Sequence, residues 1–425
     1  MKRTLLSGGM IFMDGVFVRR DIAICGDIIN EIAPELEPTE KDSVIDCTGK
    51  YIVSGFADVH VHFREPGFSY KETIASGAKA AARGGYTLVM TMPNLSPAPD
   101  SMENLQVQLD IIRRDACIRV LPYGCITVGE KGERLADIKA MAQHVVGFSD
   151  DGKGVQNEEL MREAMLLAKA MGKPIVAHCE DESLLRGGYI HDGEYARKHG
   201  HKGICSESEW GPIERDIQLI KETGCAYHVC HVSTKESVEL IRNAKAQGLP
   251  ITCETAPHYL TLCDEDLQED GRFKMNPPLR SRADMEALLE GIIDGTIDCI
   301  ATDHAPHAEE EKSKGLAGSV MGVVGLETAF AVMYTRLVLE NKLSFERLME
   351  LMITAPRRIF GIKGGEIKAG AIADIAVLDT QTEYTIEPDK FLTKGRSTPY
   401  AGERVRGRSV LTMSKGVVVW SENDA

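Results

Sequence analysis

The sequence predicts an α/β chain, a (β/α)8 TIM-like barrel carrying a small β-sandwich built from both chain termini. Three observations predict it. The middle of the chain, 55–360, alternates short apolar runs with amphipathic stretches, and eight such units are what a (β/α)8 barrel requires. Both ends, 1–54 and 361–425, read instead as short strands of alternating polarity, punctuated by Gly-Asp and Gly-Lys turns. Ionisable residues gather at the C-terminal ends of the central runs, the rim on which barrels carry their active sites. An open doubly wound sheet is the alternative, because alternation alone does not show closure.

The elements follow in order. GVFVRRDIAICGDIINEIAP and SVIDCTGKYIVSG supply the first strands of the small domain. The barrel runs are GFADVHVHF, TLVMTMPN, YGCITV, VVGFSDD, PIVAHCE, AYHVCHVS, PITCETAPH and DCIATDHAPH. Between them lie helical stretches such as ETIASGAKAAARG, LMREAMLLAKAMG and KESVELIRNAKAQG, several closed by glycine, a common helix stop. GGEIKAGAIADIAVLD and SVLTMSKGVVVW return the chain to the small domain.

Composition narrows the function. At 425 residues the chain exceeds the size at which single cores usually stop growing, so a large domain plus a smaller one is expected. A net charge of −15 repels phosphate backbones and anionic lipids, which argues against nucleic-acid and membrane partners. An anionic substrate then needs a local cationic site. Gly8, Gly9 and Asp14 interrupt the opening stretch, which fits neither a signal peptide nor a membrane span, so a cytoplasmic location is expected. The 11 cysteines show no CxxC pair and should be reduced there; Cys225 and Cys230 read as small buried hydrophobes.

The strongest local signal is Asp58-Val-His60-Val-His62-Phe-Arg64-Glu-Pro-Gly67. Side chains on a strand alternate with period two, so His60, His62 and Arg64 share one side if the strand persists. Two imidazoles on one face begin a transition-metal site. HxH alone also fits two structural histidines; Arg64 on the same face argues for a site. His178 and His231 end two further runs, and Asp303 ends the eighth. A carboxylate there is costly to bury without a compensating charge or metal. Four histidines and a carboxylate exceed what one catalytic zinc needs, which points to two metals and a bridging anion from Asp150 or Asp151. His228 reads as structural, His304 as set behind the site, and Arg280 as a surface ion-pair residue.

GFADVHVHFREPG, TMPN, GFSDDG, AHCED, CHVST, NPPLR and TDHAPH occur in the order seen in dihydroorotases, and the chain resembles the longer bacterial type of that family within the amidohydrolase superfamily. The resemblance implies one metal on His60, His62 and Asp303, and a second on His178 and His231, with Asp151 bridging and a modified Lys153 as the alternative bridge. It implies two divalent ions, zinc preferred, that ionise a water, with Asp303 as general acid and base. Arg64, Asn94 and His307 would surround a substrate carboxylate, and Asn276 would meet the ring amide. The implied activity is reversible hydrolysis of dihydroorotate to N-carbamoyl-L-aspartate. The alternatives are another cyclic amidase, such as an allantoinase or dihydropyrimidinase, and a non-catalytic partner of aspartate transcarbamoylase. A homodimer is expected from base rates, and association with aspartate transcarbamoylase is a further expectation. Two features depart from the pattern: Leu95-Ser96 follows TMPN, and a glycine-rich stretch follows His307, as a lid or a surface loop.

Overall fold

A computed structural model describes residues 3–424. Met1 and Lys2, part of the opening stretch discussed above, lie outside it.

The eight apolar runs form eight parallel strands. They are Phe56–Val61, Tyr86–Thr91, Arg119–Pro122 continued by Gly124–Cys125, Phe148–Ser149, Ile175–Ala177, Tyr227–Val229, Ile251–Thr255 and Cys299–Ile300. The first three pair in sequence, as do the rest from Gly124–Cys125 onward. The third strand joins the two groups, since Tyr123 N donates to Thr91 O (3.0 Å) and Gly124 N to Gly147 O (3.1 Å). Closure comes past the end of the eighth strand. A parallel bridge joins Val61 to His304, and His62 N donates to His304 O at 2.8 Å. That bond excludes the open doubly wound sheet.

Buried parallel strands read as continuous apolar runs because helices cover them. The covering helices are amphipathic and capped by short polar side chains. Ile74–Arg83 starts at Thr73, which accepts from Ser76 N, and Lys235–Ala246 starts at Thr234, which accepts from Ser237 N. Inside the barrel Val59, Met90, Tyr123, Val176, Cys230 and Ala301 pack as one buried cluster. Cys225 is buried as well.

The termini build two further sheets. One orders Ile28–Ala33, Asp21–Cys25, Arg3–Ser7 and Ser43–Asp46. The other orders Val417–Ser421, Arg404–Ser414, Ile375–Thr385, Tyr51–Ser54, Met10–Met13 and Val16–Arg19, so segments from both ends of the chain are neighbours. Leu6, Ile11, Ile24, Ile52, Ile375 and Met413 fill the space between them. Among the described residues no helix is long and apolar enough to cross a membrane.

Candidate metal centre

Several barrel strands are only two or three residues long, so the residues that follow them sit on tight bends at the rim. His231 and Asp303 occupy left-handed backbone, with φ of 32° and 48°. L-residues rarely adopt that region without compensation, and such strain clusters at functional sites. Arg64 is also left-handed, at φ 57°. The first strand ends at Val61, so Arg64 does not reach the cavity by simple alternation along a persisting strand. A turn aims it there.

A cavity of about 230 Å³ opens at this rim, lined by His62, Arg64, Asn94, Asp151, His178, His231, Asn276, Asp303 and His307 among others. His60 lies beneath it, fully buried. Distance and burial make the floor a polar cluster with unmet bonding capacity. His60 Nε2 is 3.3 Å from Asp151 Oδ1, and among the described residues neither atom has a hydrogen-bond partner although both are buried. His62 Nε2 lies 3.1 Å and His60 Nε2 3.5 Å from Asp303 Oδ1. His178 Nδ1 and His231 Nε2 face each other at 2.9 Å, with Asp151 Oδ1 at 3.8 and 3.7 Å respectively. Buried polar atoms are almost always satisfied. Converging imidazole nitrogens beside two carboxylates are the donor set that a transition metal takes.

Supporting residues fix which ring nitrogen faces the cavity, as is usual around metal-binding histidine. Glu254, from the seventh strand, lies 2.7 Å from His60 Nδ1 and 3.2 Å from His228 Nε2. Burial would raise this carboxyl, but His60 and His228 hold it down at about 2, so it accepts and leaves His60 Nε2 for the site. His228 thus serves behind the cluster. Burial likewise opposes ionisation of Asp303, and the bond with His62 plus the nearby His60 and His231 rings hold it below the usual carboxylate range.

Asp150 and Asp151 face different ways. Asp150 Oδ1 accepts from Ile126 N (2.8 Å) and Thr127 N (3.0 Å), with the Thr127 hydroxyl on Oδ2, while Asp151 reaches the four imidazoles. Lys153 is exposed. His304 turns away from the cavity: its Nδ1 accepts from Gly325 N (3.2 Å), and Nε2 meets Thr393.

The cavity wall carries the cations. Arg64 donates to Pro306 O (3.3 Å) and lies 3.4 Å from His307 Nε2; among the described residues no carboxylate lies within ion-pairing distance of it. Lys71 Nζ is 3.2 Å from His307 Nδ1 and 2.8 Å from Glu311. Asn94 touches the imidazole–carboxylate cluster: its Oδ1 is 3.0 Å from His62 Nδ1, and its Nδ2 is 3.4 Å from Asp151 Oδ2.

The glycine-rich stretch after His307 is packed on the site. Lys312 is buried and donates to Lys274 O and Val320 O, both at 2.9 Å, while Met321 and Gly322 line the cavity. Gly322 has φ 129°, and a Cβ there would lie 2.9 Å from His307 Nε2, so a larger residue would displace that ring.

Arg280 corrects a reading made from sequence. It is buried, not at the surface, and donates to Ser233 Oγ (3.1 Å) and Ile204 O (3.0 Å) beside Glu209. Its guanidinium ties the loop after the sixth strand to its neighbours, a role that sequence spacing does not show. Glu254, Glu180 and Lys71 were also missed. A glutamate or lysine is ordinary in type: Glu180 ends the run PIVAHCE and Glu254 lies within PITCETAPH, but neither position names a partner.

A family model described as Dihydro-orotase-like matches residues 49–237. A dihydroorotase of Fusobacterium nucleatum subsp. nucleatum is 49% identical over 421 residues, covering 99% of both chains. One of Geobacillus kaustophilus is 49% identical over 425 residues, again with 99% of each chain covered. The chain belongs to the dihydroorotase family. Among solved structures, an L-hydantoinase (dihydropyrimidinase) from Arthrobacter aurescens superposes with a TM-score of 0.89 at 26% identity, over 99% of this chain and 96% of that one. A D-hydantoinase at 20% identity and TM-score 0.87 shares the fold. The dihydroorotase relatives and the hydantoinase superposition agree with the barrel and β-sandwich expected from sequence.

Proposed function

We propose that this chain is a dihydroorotase, catalysing reversible hydrolysis of (S)-dihydroorotate to N-carbamoyl-L-aspartate in pyrimidine synthesis. One observation carries the reading. A buried imidazole–carboxylate cluster and a guanidinium without a carboxylate partner line the same cavity. A half-buried guanidinium with no carboxylate beside it among the described residues suits an anion, and a substrate carboxylate meets its fork at two points.

His60, His62 and Asp303 would hold one divalent ion, and His178 and His231 a second, with Asp151 between them; imidazole and carboxylate donors suit zinc. Bound cations supply Lewis acidity, which favours ionised water near neutral pH and polarises the ring carbonyl. The protein's own groups do the rest. Arg64 and His307 receive the substrate carboxylate and so fix the ring above the cluster. Asp303 Oδ1 meets His62 and His60, which leaves Oδ2 to take the proton of the attacking water. The same oxygen returns that proton to the ring nitrogen as the C–N bond breaks, so no serine or cysteine nucleophile is required.

The hydantoinase-like fold makes a hydantoinase or dihydropyrimidinase activity the second reading, and Arg64 separates the two because those substrates carry no carboxylate. Arg64→Ala should lower kcat/KM on dihydroorotate by about 100-fold, the worth of a charge-assisted pair. Hydantoin turnover, where present, should change by less than about threefold. Equal losses on both substrates, at unchanged metal content, would refute the assignment.

A further inference from the structure

Asn276 lines the cavity and Glu180 stands behind it, on the loop after the fifth strand. Asn276 Nδ2 lies 3.0 Å from Glu180 Oε1. Asn276 Oδ1 is buried and, among the described residues, has no hydrogen-bond partner. Glu180 is itself fixed: its second oxygen is 3.5 Å from His178 Nε2, and its backbone oxygen accepts from Gln156 Nε2 at 2.9 Å.

We propose that Glu180 is a positioning residue that sets which end of the Asn276 amide meets the substrate. A carboxylate only accepts, so the amide nitrogen must face Glu180, and the carbonyl oxygen must face the cavity. An orphaned, buried acceptor costs free energy until a donor arrives. The site therefore presents an acceptor to a ring N–H of a cyclic amide or ureide, and disfavours a ring atom that is itself an acceptor at that point. His178 Nδ1 faces His231 Nε2 at 2.9 Å, and its Nε2, without a hydrogen-bond partner among the described residues, lies 3.5 Å from the other Glu180 oxygen. The two oxygens of one carboxylate thus each face a side-chain nitrogen, one of them in a hydrogen bond from Asn276. This inference rests on the cyclic-amide reading above.

The geometry defines a reciprocal exchange. In Glu180→Gln one of the two donors, His178 or Asn276, loses its acceptor. In Asn276→Asp two carboxylates face each other at a separation that now holds a hydrogen bond. In the double variant, Glu180→Gln with Asn276→Asp, the new amide would offer its oxygen to His178 and its nitrogen to the new carboxylate. The second oxygen of that carboxylate then faces the cavity as an acceptor. Net charge is unchanged.

The test measures kcat and KM on dihydroorotate together with calorimetric binding of N-carbamoyl-L-aspartate, for holoenzyme whose metal content and melting are checked. We expect Glu180→Gln to lose about tenfold in kcat/KM and Asn276→Asp at least about 100-fold. The double variant should recover to within about tenfold of the parent, with product affinity recovering in parallel. If Asn276→Asp does not fold, the double variant must still match or exceed Glu180→Gln. A double variant no better than the weaker single variant overturns the proposal. Parent protein that binds the product but does not open dihydroorotate would refute the function instead, and the exchange would still be read on binding.

Discussion

His307 has a cation at each ring nitrogen, Arg64 at Nε2 and Lys71 at Nδ1. Burial first, then those cations, push its pKa down to about 2. The unfolded chain takes up this proton near pH 6.5. Between about 2 and 6.5 the unfolded state therefore binds more protons, so stability is present in full above 6.5 and is lost as pH falls. At pH 5.0 the loss is about 2 kcal/mol, roughly 2 °C of melting temperature for a chain this long. Metal-free protein should lose more melting temperature between pH 7.5 and 5.0 than its His307→Gln variant does; identical slopes would contradict the placement. At this scale the sequence was legible where chemistry is unusual. A lone histidine at the end of an apolar run is more often a core residue than a ligand; the pairing of His60 and His62 beside Arg64, and the recurrence at separate strand ends in His178 and His231, are what set these four apart. Glu180 and Lys71 are ordinary in type and gain meaning only from what lies across the cavity. Asn94, expected on the substrate carboxylate, also bonds to His62 and Asp151, partners 32 and 57 residues away.

Short strands and sharp exits are what place the ligands. Phe148–Ser149 and Cys299–Ile300 span two residues each, so Asp151 and Asp303 fall in loops that must be held from outside. The loop after the sixth strand is held by Glu209, whose Oε1 accepts from Ser233 N, Thr234 N and Thr234 Oγ1, all at 3.0 Å. Arg280 lies 3.9 Å from the other Glu209 oxygen and donates to Ser233 Oγ. Removing one partner of a buried charged network leaves the other uncompensated. Arg280→Met should therefore destabilise the protein by about 3 kcal/mol in urea unfolding, and because Ser233 lies two residues past His231 it should weaken metal binding too. A loss below about 0.5 kcal/mol, the value of a typical surface change, would show the network to be dispensable. Strand and helix positions were readable because period and glycine stops are local signals. The end of the first strand was not: alternation suggested that it runs through Arg64, but a left-handed turn intervenes.

For the whole molecule, the sequence showed eight repeats but not their closure, because the closing bridge pairs Val61 with His304, through the bond from His62 N to His304 O, across the full span of the barrel. The shared terminal domain was visible because both ends alternate with period two. The glycine-rich stretch after His307 reads from sequence as lid or surface loop; its anchor, Lys312 donating to Lys274 O and Val320 O, joins segments too far apart in the chain to be read there. Closure brings strand ends from across the chain into one cluster in which, among the described residues, His60 Nε2 and Asp151 Oδ1 are buried without a hydrogen-bond partner, beside a set of donors that suits a transition metal. Metal content and dihydroorotate ring opening, followed together through chelation and zinc add-back, test this most directly. Activity should fall with bound metal to background and return as zinc approaches about two equivalents per chain, the stoichiometry of a paired site. Full turnover by protein shown to be metal-free would contradict it.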